Sequence, residues 1–282
     1  MAGMSAARRD IVLAMIGCVL VTAAITIIWL ARLDVLRRDA DRAIYVSGLG
    51  AQGEATAGWF MVAMLAIVAG GSLIAWAGRR VRAEVRVLAL WTPSVSLWIS
   101  CGFFLFASQV TCTPGCPLPY GDSFTWQDFL HILAAVLAFA IACWGMLQAA
   151  FARQHRAIAV ISAVCGIAVG VIAATGGMFS LLRFRTDIGA WLALIATTIA
   201  IAWVVLFGLA VIAERRGDGV EGSAQGDREV LGGEGVLDRE DDPALGRGVQ
   251  LREDDPRQPG RLVERLGRRH LGVDGCGGVR QR

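Results

Sequence analysis

Six apolar runs, each about 20 residues long, occupy most of residues 1–216 and set the fold class of this chain. A soluble domain cannot bury that many runs of this length, whereas a helix of about 20 residues crosses the roughly 30 Å hydrocarbon core of a bilayer. We therefore predict an all-α fold, a polytopic membrane protein with a six-transmembrane-helix bundle. The predicted spans are about 11–31, 57–77, 87–108, 128–151, 157–182 and 188–213.

The first run is predicted to be a membrane span and not a cleaved leader. A secretory signal peptide has an apolar region of about 7 to 15 residues that ends in a small-residue cleavage site. The run from Ile11 to Ala31 is longer, and it is followed directly by Arg32.

Residues 217–282 differ from the rest of the chain. They are rich in Gly, Arg, Asp and Glu, and their scattered Val and Leu show no sustained helical period. Such a segment buries too little apolar surface to offset the entropy of its chain, so we predict a disordered cytoplasmic tail. A high-GC gene read in a shifted frame gives the same kind of composition, so the alternative is that residues after about 216 are not native in-frame sequence.

Arginines predict the orientation in the membrane, because cytoplasmic loops carry the excess of positive charge. With both termini inside, the inner segments hold ten arginines and the outer segments hold six. The inner arginines are Arg8, Arg9, Arg79, Arg80, Arg82, Arg86, Arg153, Arg156, Arg215 and Arg216. The outer arginines are Arg32, Arg37, Arg38, Arg42, Arg183 and Arg185. We therefore expect a multi-pass plasma-membrane protein with cytoplasmic N- and C-termini.

A proline-rich loop with two cysteines, Cys112 and Cys116, precedes the fourth span on the predicted outer side. Disulfides persist in oxidising compartments, and Pro114 and Gly115 allow the chain to turn back on itself, so we predict a structural disulfide. Two free thiols, or a metal or redox site approached by His131, are the alternatives. The loop supplies no further soft ligand, so no metal is assigned.

Asp128 and His131 lie three residues apart at the start of the fourth span and share one helix face. Ionisable groups in membrane segments often mark function, which makes both residues catalytic candidates. The alternative is that Asp128 caps the helix and offsets its positive N-terminal dipole, with His131 at the interface.

The other outer connections supply Ser47 and the group Arg183, Arg185 and Asp187. If the six helices form one bundle, these outer ends converge with Asp128 and His131 in a polar pocket. Ser47 could serve as a nucleophile beside a histidine base, and the arginines could bind an anion. Pairing of these arginines and aspartates with one another or with lipid headgroups is the structural alternative.

The sequence lacks the motifs of several well-known kinds of functional site. A two-histidine haem site needs more than one histidine within the spans, and no Walker-type glycine loop, HExxH or GxSxG motif is present. We predict no cofactor.

Residues 1–216 carry 16 arginines against 10 acids and residues 217–282 carry 11 against 14, so the overall pI near 8.6 gives no reason to expect nucleic-acid binding. The expected partners are membrane lipids, and protein partners are not predicted.

Four short motifs in order resemble the membrane family called domain of unknown function 998. They are Tyr45-x-Ser47-x-Leu49-Gly50, Cys112-x-x-x-Cys116-Pro-Leu-Pro119, Asp128-x-x-His131, and Gly208 with Glu214-Arg215. The resemblance covers roughly residues 8–216. Gly48 and Met61 depart from the family pattern, in which an acidic residue and an Asn are frequent at these positions. The resemblance implies a six-helix fold and no established activity.

Three functions follow as hypotheses. The first is a binding or accessory component of the cell envelope with an outward-facing polar pocket. The second is a membrane-embedded hydrolase or transferase that acts on a lipid headgroup through His131, Asp128 and Ser47. The third is a small-molecule transporter, which the apolar span interiors make the weakest of the three.

Overall fold

The fold is all-helical, and it is a helical membrane bundle as the sequence predicts. The computed structural model describes residues 6–39, 44–114, 116, 117, 124–152, 154–182 and 184–233, with side chains described as far as residue 217. Within these residues six α-helices follow one another along the chain: α1 Ala6–Arg38, α2 Ala57–Ala77, α3 Pro93–Gln109, α4 Trp126–Ala150, α5 Arg156–Leu181 and α6 Thr186–Gly233.

Five of these helices are long and apolar enough to cross a membrane, namely α1, α2, α4, α5 and residues 186–217 of α6. The chain is therefore a multi-pass membrane protein. The remaining helix, α3, has 17 residues. This length lies at the lower limit of about 17 residues for a spanning helix.

Helix α3 begins later than the predicted span 87–108. A short 3₁₀ helix occupies Leu88–Leu90, and α3 starts at Pro93. The side chain of Thr92 accepts a hydrogen bond from the backbone N–H of Val95, at 3.4 Å, and so caps the helix. Proline is favoured at the first helical position because it has no N–H to leave unsatisfied, which explains why the helix starts there.

Two other helices extend beyond their predicted spans. Helix α1 has 33 residues, where the span 11–31 was predicted. Helix α6 was predicted to end at residue 213, but it continues to Gly233 through the first part of the predicted disordered tail. Extending an existing helix costs much less than starting one, which explains why a helix can outlast its apolar run. Residues 234–282 lie outside the described part of the chain.

The helices form a closed ring in sequence order. Neighbouring helices pack together from α1 through α5. Trp203 of α6 donates from its indole N–H to Ser162 of α5 at 2.9 Å, and Trp29 of α1 donates to Thr198 of α6 at 3.2 Å. Helix α6 thus closes the ring between α5 and α1.

A buried ion cluster joins three helices at one end of the bundle, which we call the Arg79 end. Asp10 of α1 is 1% exposed, and its two carboxylate oxygens each lie 3.1 Å from a guanidinium nitrogen of Arg79, just after α2. Arg215 of α6 lies 3.9 Å from the same carboxylate. A buried carboxylate needs such partners, so this cluster fixes the relative positions of α1, α2 and α6.

The predicted outer connections meet at the opposite end, which we call the disulfide end. The backbone N–H of Gln52 donates to the carbonyl of Cys112 at 2.9 Å. The Tyr45 hydroxyl lies 2.9 Å from Ser180 Oγ and donates to it, since Ser180 gives its own proton to the carbonyl of Gly176. The connection after α1 therefore contacts both the cysteine loop and the end of α5.

Glycines allow α1 and α2 to approach closely. A Cβ atom added at Gly70 would lie 2.7 Å from the carbonyl oxygen of Gly17, and one added at Gly17 would lie 2.7 Å from the carbonyl oxygen of Gly70. Both obstacles are backbone atoms, so they cannot rotate away. Small residues at membrane helix interfaces commonly have this role.

We expect Gly70→Ala to destabilise the protein by about 1–3 kcal/mol, because the added methyl group separates α1 from α2. Thermal unfolding in detergent measures the change. Gly170→Ala on α5 is the matched control, since no atom lies within 4 Å of its added Cβ. Equal melting temperatures for the two variants would contradict the close approach.

Candidate functional site

A central cavity of about 220 Å³ lies inside the bundle. Helices α1, α2, α3, α4 and α6 line it, together with residues 45–47 of the connection after α1. Its walls are mostly apolar. The larger side chains on them are those of Ile28, Phe60, Met64, Ile67, Leu97, Phe104, Phe139, Ile201 and Val204.

The hydroxyl groups deep in the cavity wall are already satisfied. Ser100 donates to the carbonyl of Ala138 at 2.9 Å, and Thr197 donates to the carbonyl of Ala193 at 2.8 Å. The remaining polar side chains of the wall are Tyr45, Ser47 and His131. These three belong to the disulfide end, so the cavity is apolar along its length and polar at one end.

His131 is 6% exposed, and its hydrogen bonds define its tautomer. Its Nδ1 lies 3.0 Å from the carbonyl oxygen of Ala107 and 2.6 Å from that of Val110, both at the end of α3. Carbonyl oxygens only accept hydrogen bonds, so Nδ1 carries the proton. In the neutral imidazole, Nε2 is then left with a lone pair that can accept a proton or bind a ligand.

A second cavity, of about 180 Å³, lies beside the first between the outer parts of α2, α3 and α4. Phe60, Ala107 and His131 line both cavities. These three side chains therefore form the partition between the two spaces, and a movement of His131 or Phe60 would connect them.

Asp128 is fully buried, and its hydrogen bonds hold the cysteine loop on α4. Its carboxylate accepts from the backbone N–H of Thr113 at 2.8 Å, from the Thr113 hydroxyl at 2.7 Å and from the Thr125 hydroxyl at 2.6 Å. Thr125 is the N-cap of α4 and accepts in turn from the backbone N–H of Asp128. Thr125 is therefore the residue that caps α4, and Asp128 in the first turn ties Thr113 of the cysteine loop to the side chain of that cap.

Cys112 and Cys116 form the disulfide that the sequence predicts. Ser47 Oγ lies 3.5 Å from Cys116 Sγ, and because a disulfide sulfur has no proton, the serine hydroxyl is the donor. The two sulfurs and an imidazole nitrogen of His131 all lie within 4.8 Å of one another. The structure thus brings Ser47, the disulfide and His131 together.

The charged candidates from the last outer connection lie apart from the cavity wall. Arg185 and Asp187 form a two-fold contact with each other, with both N–O distances at 3.2 Å, and each side chain is more than half exposed. Hydrogen bonding to Asp187 raises the pKa of Arg185 above its ordinary value. Arg183 lies outside the described residues. Of the six groups expected in a polar pocket, Ser47 and His131 line the cavity.

The apolar walls of the cavity and the contact of Tyr45 with Ser180 are not among the features predicted from the sequence. Phe104 and Phe139 look in sequence like any other apolar residues of a membrane helix, which can face lipid, core or cavity. Tyr45 could have been recognised, because it is one of only two tyrosines in the chain and it follows a membrane span.

Comparison with protein-family models, curated proteins and solved structures gives no match for this chain. The resemblance to the domain of unknown function 998 family accordingly stays a prediction.

We expect Asp128→Ala to lower the free energy of unfolding by about 2 kcal/mol or more, because two threonine hydroxyls and one backbone N–H lose a charged acceptor. Asp187→Ala is the control, and it should leave stability unchanged because its ion pair is solvated. Thermal unfolding in detergent measures both. A wild-type melting temperature for Asp128→Ala would show that its carboxylate does not hold the cysteine loop on α4.

Proposed function

We propose that this protein binds an amphipathic, lipid-like molecule in the central cavity, as a binding or accessory component of the cell envelope. The apolar chain of the ligand occupies the length of the cavity. Its polar group lies at the disulfide end beside Tyr45, Ser47 and His131. The family resemblance is compatible with this role and adds no activity to it.

The observation that carries this proposal is the length of the cavity along the helices. Its wall follows α4 from His131 to Ala142, and α2 from Phe60 to Gly71. Eleven residues of helix correspond to about 16 Å. A slot of this length, parallel to the helices and apolar along its walls, suits an extended hydrocarbon chain better than a compact polar solute.

The energetics favour an occupied cavity. An unfilled apolar cavity destabilises a protein by about 24 cal/mol per Å³, which gives on the order of 5 kcal/mol for about 220 Å³. That amount is comparable to the whole stability of many proteins, about 5–15 kcal/mol. Filling the cavity with a hydrocarbon chain from the surrounding lipid would remove this penalty.

The polar end gives the ligand its orientation. Nε2 of His131 carries no proton in the tautomer given above and can accept a hydrogen bond, and the oxygens of Tyr45 and Ser47, whose protons go to Ser180 and to the disulfide sulfur, can accept as well. A hydroxyl or amide headgroup would satisfy these groups. The arginines do not contribute to this end of the cavity, since Arg185 is engaged with Asp187.

Hydrogen bonding favours binding over hydrolysis. A serine hydrolase needs the serine within hydrogen-bond reach of the histidine, and the histidine held by an acid. Here Ser47 contacts a disulfide sulfur, and the His131 Nδ1 proton is given to backbone carbonyls. The Asp128 carboxylate contacts two threonines. The described contacts thus hold these three residues in separate hydrogen-bond networks.

We expect Ala135→Phe to reduce the amount of lipid that remains bound after purification at least several-fold, because the new ring fills the middle of the cavity. Ala135 lies on the cavity wall. Val136→Phe is the matched control on the next residue of α4, where the side chain is 58% exposed and faces away from the bundle. Native mass spectrometry after detergent washing gives the lipid content of each variant.

The two substitutions must give different results for the proposal to stand. If Ala135→Phe retains as much lipid as Val136→Phe while both proteins elute as single folded species, the cavity is not the binding site.

We further propose that the protein lies in the plasma membrane with the Arg79 end in the cytosol. The connections at the Arg79 end carry more arginines than those at the disulfide end, and cytoplasmic loops carry the excess of positive charge. This difference supports the orientation. It places the disulfide and the polar end of the cavity on the outer side, where disulfides persist.

This orientation predicts the labelling of cysteines in intact cells. We expect a membrane-impermeant maleimide to label the protein only after treatment with an impermeant reductant, because Cys112 and Cys116 are bonded and on the outer side. The Cys112→Ser/Cys116→Ser double variant should remain unlabelled under both conditions. Labelling that requires both reductant and permeabilised cells, and that is lost in the double variant, would place the disulfide in the cytosol.

A further inference from the structure

We propose a second property for this chain, at the polar end of the same cavity: once the disulfide is reduced, Cys112, Cys116 and His131 bind a divalent thiophilic cation of the Zn²⁺ class. Cys112 and Cys116 thus either form the disulfide or, when reduced, bind the metal ion together with His131. Three observations carry this proposal, namely the grouping of the ligand atoms, the hydrogen bonding of the histidine, and the anchoring of the loop.

The ligand atoms are grouped almost as a metal requires. The two sulfurs and an imidazole nitrogen lie within 4.8 Å of one another. With bond lengths of about 2.0–2.3 Å, the ligand atoms on a tetrahedral Zn²⁺ are roughly 3.5–4 Å apart. The imidazole must therefore move closer to the sulfurs, and the sulfurs must separate once their bond is broken. A fourth position remains for water or for the Ser47 hydroxyl, which lies beside Cys116.

The hydrogen bonds of His131 resemble those of a metal-ligating histidine. Such histidines almost always donate their other ring N–H to a carboxylate or a backbone carbonyl, which fixes the tautomer and raises the basicity of the ligating nitrogen. His131 donates from Nδ1 to the carbonyls of Ala107 and Val110. Nε2 is consequently the nitrogen available to a cation.

The loop is anchored by contacts that do not involve the disulfide. The carbonyl of Cys112 accepts from Gln52, and the N–H of Cys116 donates to the carbonyl of Thr113 at 2.9 Å. Thr113 is bound to Asp128, one turn before His131 on α4. These contacts keep both cysteines beside the histidine after the sulfur–sulfur bond is broken.

The reduction step is an ordinary thiol–disulfide exchange. A thiolate of a dithiol reductant attacks one sulfur, forms a mixed disulfide and releases the other cysteine. The second thiolate of the reductant then attacks the mixed disulfide and releases the remaining cysteine. The reductant leaves as its own disulfide, and Cys112 and Cys116 become thiols. Cys116 is the more accessible of the two sulfurs, because Cys112 is fully buried.

The charge balance also suits a buried site. Binding of the cation releases the two thiol protons, because the thiolate is the form that ligates a metal. Two thiolates, one neutral imidazole and one divalent cation sum to zero charge. A neutral cluster avoids the large desolvation penalty of an isolated buried ion.

The experiment uses Co²⁺ as a spectroscopic probe of the purified full-length chain, isolated in detergent through a tag without histidine or cysteine. The protein is tested with its disulfide intact and after reduction by a dithiol, which is removed before cobalt is added. We expect the reduced protein to bind one Co²⁺ per chain, with a thiolate-to-cobalt charge-transfer band and the strong visible bands of tetrahedral cobalt. Added Zn²⁺ should displace the cobalt and abolish these bands.

Three variants assign the ligands. Cys116→Ser, which leaves the contacts of His131 in place, should abolish the charge-transfer band or reduce it by at least half. His131→Asn keeps a donor for the backbone carbonyls but removes Nε2, and it should weaken cobalt binding at least 10-fold. Cys165→Ser, at a free cysteine of α5, is the control and should bind as the wild type does.

Two outcomes would overturn the proposal. The first is a reduced wild type whose spectrum matches that of the Cys112→Ser/Cys116→Ser double variant. The second is a His131→Asn variant that elutes as a folded species and binds Co²⁺ as tightly as the wild type. Both outcomes are read from cobalt spectra, whereas the lipid proposal is read from the lipid content of Ala135→Phe and Val136→Phe, so the two proposals are judged separately.

Discussion

The structure depends on the absence of water from the bilayer core. Each backbone N–H and C=O group there must find a partner within the protein, and an α-helix satisfies them along a single segment. This requirement explains why the apolar runs of the sequence form the helices of a bundle. It also favours partners for polar side chains inside the bundle, as Trp203 has in Ser162 and Asp10 has in Arg79.

Packing among apolar helices follows from shape, because lipid is as apolar as the helix surfaces themselves. The close contact of Gly17 with Gly70 draws α1 and α2 together. Farther along the bundle, the walls of the cavity are held apart, and Phe104 and Phe139 stand edge to face with ring centroids 5.4 Å apart. A bundle that packs tightly in one part and leaves an elongated space in another is suited to holding a hydrocarbon chain.

The disulfide end combines rigid and reactive features. Asp128 ties the cysteine loop to the first turn of α4, so the loop and His131 belong to one anchored unit. The same histidine lines the cavity and approaches the two sulfurs. A change at the sulfurs is therefore positioned to affect the polar end of the cavity.

The sequence predicts the class of fold because length and apolarity alone decide whether a segment can span a membrane. It also predicts the meeting of the outer connections, which the contacts of Tyr45 with Ser180 and of Gln52 with Cys112 establish. The start of α3 could have been predicted from Thr92 and Pro93, had capping been weighed above apolarity. The cavity could not, since a lipid-facing leucine and a cavity-facing one have the same pattern in sequence. The sequence also leaves open whether Arg185 pairs with Asp187 or binds an anion, and the structure shows the pairing.

The most direct test of this account is a cryo-electron microscopy structure of the protein in lipid nanodiscs. We expect elongated non-protein density between α2, α3, α4 and α6, running parallel to the helices from Ser47 and His131 to the level of Ala142. A bundle in which Met64, Phe104, Phe139 and Val204 close on one another and leave no such density would contradict the central claim that the protein holds a lipid-like chain.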